Sequence, residues 1–107
     1  MIKKPMKSTL LLTACLSLLM ASSAFAADGK ELYNTKGCAG CHGADAKTPV
    51  APLYPKIAGQ SKEYIEQQIK DIKSGARSNG QSAAMKAVLV SVTDDEITAL
   101  ADYLSGL

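Results

Sequence analysis

Cys38-Ala39-Gly40-Cys41-His42 places two thiols and an imidazole within five residues. On a helical turn, positions three and four apart share a face. Both thiols can then reach the two vinyl groups of one porphyrin while the adjoining imidazole points at its iron. The spacing Cys-x-x-Cys-His reads as a covalent c-type haem attachment site, with His42 as proximal ligand. A second group of the right kind is Met85, a thioether 43 residues after His42. It falls in a stretch rich in Ser, Asn, Gly and Gln that reads as a distal loop, able to bring sulfur to the iron's sixth position. The bland alternative for a solitary methionine is core filling.

Three rivals to haem use the same residues. A redox-active dithiol of thioredoxin type needs a βαβ setting, and no strand–helix alternation surrounds the motif. Structural zinc needs four ligands, but residues 27–107 hold only Cys38, Cys41 and His42 as Cys or His. A local disulfide is the plain structural reading in an exported protein.

The elements that must position these groups begin after a leader. Lys3, Lys4 and Lys7 precede an apolar run from Leu10 to Met20, and Ala24-Phe25-Ala26 supplies small residues at the −3 and −1 positions. This is the pattern of a secretory signal peptide, and the run is too short for a mature membrane-spanning helix of roughly 20 apolar residues. Residues 1–26 are expected to be removed after Ala26, leaving one domain, 27–107, in the periplasm. Leu12-Thr13-Ala14-Cys15 offers a lipoprotein alternative with Cys15 lipidated. It is the weaker reading, because apolar residues rather than a polar tether follow that cysteine.

Three of the twelve lysines and arginines lie in the leader, so nine face the ten acids in the mature part. That balance gives no concentrated basic patch and no nucleic-acid partner. The mature part has no Trp and no Phe, and a domain near 80 residues gains only a few kcal/mol from a plain core. With no long-range disulfide available, something else, a metal or a cofactor, must fill the interior.

Three helical segments are enough to wrap it. The first spans about 28–36, with Asp28 as N-cap and Gly37 as its end. The second starts at Ser61 and runs to about Lys73, with Tyr64, Ile65, Gln68, Ile69 and Ile72 at helical period and Gly75 as stop. The third opens on the capping box Thr93-Asp94-Asp95-Glu96 and buries Ile97, Leu100, Ala101 and Leu104. Between the first two, Pro49, Pro52 and Pro55 exclude a long helix. That stretch is expected along the proximal side, where a histidine ligand needs an acceptor for its Nδ1–H. The Pro55 carbonyl is the nominee, with Pro52 and Pro49 open as alternatives.

In order along the chain, Gly29-Lys30-Glu31-Leu32-Tyr33, the Cys38–His42 motif with Gly43, and Tyr54-Pro55-Lys56-Ile57-Ala58-Gly59-Gln60 resemble the class I cytochromes c. So do Gly75-Ala76-Arg77-Ser78-Asn79, Met85 and the closing segment from Asp94 to Leu104, especially those of the small bacterial periplasmic c-553 type. The resemblance implies an all-α fold, three main helices around one covalent haem c, with first and last helices crossing. It implies Gly29 and Tyr33 packed on Leu100 and Tyr103, and Pro55 as the histidine's acceptor. It also places Arg77 and Asn79 near the haem or its propionates. The β-branched run Val88-Leu89-Val90-Ser91-Val92 is a departure that leaves distal geometry less defined.

The expected function is a monomeric electron shuttle, not an enzyme. It would exchange single electrons with periplasmic or membrane-bound redox proteins, such as a cytochrome complex, a terminal oxidase or a dehydrogenase. With both axial positions filled, no organic substrate is transformed. An alternative is the electron-accepting subunit of a periplasmic dehydrogenase; another is ligand binding or peroxidase-like chemistry, which requires that Met85 not ligate. Lys36, Lys47, Lys56 and Lys86 are candidates for a docking rim, against the plainer reading of scattered solvated charges.

Overall fold

The computed structural model describes residues 27–107; the expected leader, its cleavage point and Cys15 lie outside them. Five helices and no strand occur among the described residues: α1 (Gly29–Thr35), α2 (Ala39–His42), α3 (Lys62–Ser74), α4 (Ser82–Leu89) and α5 (Asp94–Ser105).

The three longer expectations hold because their ends are written in side chains. Asp28 accepts hydrogen bonds from the Lys30 and Glu31 backbone N–H groups, starting α1. Ser61 Oγ accepts from Tyr64 N at 3.3 Å, starting α3, and Gly75 closes it by donating to the Asp71 and Ile72 carbonyls. At α5, Thr93 and Glu96 satisfy one another's backbone N–H groups reciprocally. Each cap supplies a partner to a helix end that otherwise has none.

Packing follows the apolar stripes. Ile65, Ile69 and Ile72 of α3 and Ile97, Leu100, Ala101 and Leu104 of α5 form one core with Tyr33. Burying each large aliphatic chain contributes about 2 kcal/mol. Polar contacts fix the α3–α5 pairing at its edge: Thr98 Oγ1 donates to Glu66 at 2.9 Å, and Lys62 lies 3.6 Å from Asp102. Helix α1 crosses α5 at Gly29, where an added Cβ would collide with the Ala99 carbonyl and Tyr103 Cβ. Only glycine lets the two backbones approach so closely. The Tyr33 and Tyr103 rings then stack at 5.9 Å, tilted by 50°.

Two expectations are corrected. Residues 82–89 form helix α4, not a loop, so Met85 sits on a helix. Ala83, Ala84 and Ala87 favour helix more strongly than the flanking polar residues oppose it. Tyr64, placed on the buried stripe of α3, is 53% exposed. Gln68 on the same stripe serves a polar bond, described below.

Candidate functional site

The motif turn is tightly wound. Cys38 stands at the N-cap of α2, and its carbonyl accepts from both Cys41 N (3.2 Å) and His42 N (3.0 Å). The two thiols are free and half-buried; burial pushes the Cys38 thiol upward. His42 is buried, 7% exposed, and its Nδ1 lies 2.9 Å from the Pro55 carbonyl. A carbonyl can only accept, so Nδ1 carries the proton and the lone pair resides on Nε2. Among the described residues Nε2 has no hydrogen-bond partner, and no side-chain nitrogen is both unpartnered and sealed from solvent. The imidazole is thus oriented from behind and offers one nitrogen forward.

A braced loop brings Pro55 to that ring. Gly43 (φ +90°) turns the chain away from α2 and runs against the Thr48 backbone, where a Cβ would collide with the Thr48 carbonyl. The Asp45 carboxylate accepts from Lys47 N and Thr48 N, each at 2.8 Å, which holds it below the usual carboxylate range. Ala46 is fully buried at φ +60°. Its carbonyl accepts from Ile57 N (3.0 Å) and Ala58 N (3.2 Å), which draws residues 55–58 against 43–46. Gly59 N then ties the loop's end to the Leu104 carbonyl of α5 at 2.9 Å.

Tyr33 completes the brace. Its hydroxyl donates to the Gly43 carbonyl at 2.6 Å from a fully buried position, and desolvation pushes its phenol up to about 12. Sequence reasoning placed Tyr33 against α5 but not on Gly43. The available signal was chemical: a buried tyrosine hydroxyl requires a partner. The Asp45 turn and the Ala46 carbonyl were likewise missed, while Tyr54 packs beside Cys41, which raises its phenol.

The remaining expected residues fall in two places. Met85 is half-buried on α4 and packs on the core. Arg77 and Asn79 come together beyond the end of α3: the guanidinium donates to Asn79 Oδ1 at 3.3 Å and to Gln68 Oε1 at 3.1 Å. Arg77 is half-buried with only neutral partners among the described residues.

Chemically, one forward-facing imidazole nitrogen cannot hold a bare metal ion. Among the described residues no three His, Cys, Asp or Glu side chains converge on a common point. A metal that arrives inside a macrocycle needs only axial donors, and two neighbouring thiols can tether that macrocycle. The donor set therefore fits haem.

Comparison with known proteins agrees. Residues 26–107 match the family described as Cytochrome c. The chain is 38% identical over 81 residues to cytochrome c-554(548) of Halomonas halodenitrificans, covering 76% of this chain and 94% of that protein. It is 35% identical over 86 residues to cytochrome c-553 of Nitratidesulfovibrio vulgaris, covering 80% and 82%. A thiosulfate dehydrogenase electron acceptor of Stutzerimonas stutzeri is 37% identical over 98 residues, covering 85% of this chain but only 44% of that longer protein. With its all-helical fold and attachment motif, the chain belongs to the cytochrome c family, as a small class I electron carrier that binds haem c covalently.

Proposed function

We propose that this cytochrome works in the periplasm with a single haem, tethered through thioethers to Cys38 and Cys41 and ligated by His42 and Met85. The observation that carries the reading is the His42 imidazole, held through Nδ1 by the Pro55 carbonyl 2.9 Å away and adjoining the thiol pair. A single haem is supported by the one Cys-x-x-Cys-His motif and the one histidine of this sequence. When bound, the haem supplies an iron that cycles between ferrous and ferric states.

The chain's residues do the rest. Pro55 fixes the tautomer and ring plane of His42 and raises its basicity as a ligand. The half-buried Arg77, without an anionic partner among the described residues, would meet a haem propionate, with Asn79 holding the guanidinium in place. The Met85 thioether would be the second protein ligand to the iron, and a sulfur donor of this kind favours the reduced state. Lys47, Lys56 and Lys86 are exposed, and between the first two in sequence apolar Val50 and Leu53 are 64% and 57% exposed. They suit brief docking by acidic redox proteins, whereas Lys36 is engaged elsewhere. Rates of reduction should fall as salt rises; salt-independent rates would remove these lysines from the docking role.

A second reading, the electron-accepting subunit of a periplasmic dehydrogenase, is favoured by the relative named as a thiosulfate dehydrogenase electron acceptor. Purification of the exported protein under mild conditions separates the two: a carrier emerges alone, a subunit with an oxidoreductase partner. Redox titration of the same preparation, followed by its visible spectrum, tests the His42/Met85 assignment. It predicts one Nernstian transition and a sulfur-to-iron charge-transfer band in the oxidised form.

A further inference from the structure

Helix α4, which carries Met85, has little to fasten it. It begins at Gln81 without a side-chain cap, and among the described helices it packs on α3 alone. It is joined to α5 by residues 90–93, of which 90–92 form the connection ahead of the Thr93 N-cap. Leu89 and Val92 are buried at 2% and 1%, but Val88 and Val90 face solvent.

Two ammonium groups from outside α4 and α5 take the carbonyls of this connection. Lys36 Nζ donates to the Ser91 carbonyl at 3.0 Å, and Lys73 Nζ donates to the Val92 carbonyl. Lys36 is the C-cap of α1, two residues before Cys38, and lies 3.6 Å from Glu96 with its side chain only 25% exposed. Lys73 is half-buried in the last turn of α3. A third ammonium points the other way: Lys86, next to Met85, reaches over the end of α3, where a Cβ on Gly75 would lie 3.1 Å from its Nζ.

We propose that Lys36 and Lys73 are positioning residues for the Met85 thioether, pinning the 90–92 connection to the ends of α1 and α3. The proposal rests on the reading of Met85 as axial ligand. Apolar burial at Leu89 and Val92 sets how deep the segment sits, but it is not directional. Charge-assisted hydrogen bonds are directional and stronger than neutral ones, so they fix the rotation of the segment about its axis. That rotation matters, because each residue of slip swings a helical side chain by about 100°.

The test uses the holoprotein with Lys36→Met and Lys73→Met, singly and together. Lys73→Arg keeps the donor, and Lys70→Met serves as control on the same helix. Three signals are followed: far-UV circular dichroism for the helices, the sulfur-to-iron charge-transfer band, and amide hydrogen exchange across residues 83–92. In the double variant the band should vanish below the temperature at which the helices melt. Exchange in α4 should quicken relative to α5 by about tenfold for each charge-assisted bond lost, so more in the double variant than in either single one. Lys73→Arg should restore both signals, and Lys70→Met should behave as wild type. Should the double variant not accumulate, Lys73→Met alone carries the same readings. Band and helices melting together as in wild type, with unchanged exchange, would overturn the clamp. A band that survives Met85→Ala would instead overturn the ligand assignment beneath it.

Discussion

The two sides of the expected haem site are built on different principles. On the proximal side, the backbone around His42 is held by hydrogen bonds that span 13 residues or fewer. Tyr33 holds Gly43, Asp45 holds Lys47 and Thr48, Ala46 holds Ile57 and Ala58, and Pro55 holds the ring itself. On the distal side Met85 rides a short helix that packs on one neighbour and is tied by lysines from distant parts of the chain. The first arrangement is rigid because its polar groups are satisfied locally; the second depends on long side chains holding position. With His42 and Met85 as the proposed ligands, that contrast makes the proximal one rigid and the distal one more releasable.

The strongest way to test the contrast is to remove each ligand. His42→Ala should abolish stable holoprotein, because the imidazole beside the thiol pair, and with it the bond to the Pro55 carbonyl, is lost; the check is haem-stained yield from periplasmic extracts. Met85→Ala should keep the haem covalently attached, lower the reduction potential and admit carbon monoxide to the reduced iron. Equal loss of haem in the two variants would erase the asymmetry.

Smaller changes sharpen it. Tyr33→Phe leaves the Gly43 carbonyl without its buried donor and should cost about 1–2 kcal/mol in denaturant unfolding, with the charge-transfer band intact. The same tyrosine makes a pH prediction. Its folded value, about 12 against an ordinary 10.0, means the fold favours the neutral phenol. That contribution is fully present below pH 10 and is lost as pH climbs toward 12. Wild-type stability should therefore fall more steeply than that of Tyr33→Phe across this window. Smallest is Thr93→Ala, which removes one half of the α5 capping box and should cost about 1 kcal/mol, lowering the melting temperature without touching either ligand.

What could be read from the chain divides along the same line. Helices α1, α3 and α5 announce themselves through Asp28, Ser61, Gly75 and Thr93, side chains whose local chemistry starts or stops a helix. The motif on α2 is legible because its spacing is its chemistry. Helix α4 hides because Gln81 makes no cap and the β-branched run Val88, Val90 and Val92 at and beyond its end resembles strand residues, masking the helix preference of Ala83, Ala84 and Ala87; its packing on α3 leaves no local mark. Pro55 could be separated from Pro49 and Pro52 only by resemblance. The physical selection lies in Ala46, whose carbonyl collects two N–H groups from eleven and twelve residues downstream. The lysine bonds to Ser91 and Val92 are equally invisible, since a carbonyl acceptor leaves no mark on its residue type.

The central claim is a porphyrin tethered to two neighbouring sulfurs beside the protein's one histidine. Mass spectrometry of the exported protein after proteolysis tests it most directly. The account predicts a peptide containing residues 38–42 that carries one haem and resists alkylation at both cysteines. The same peptide recovered free of haem, with two alkylated thiols, would contradict it.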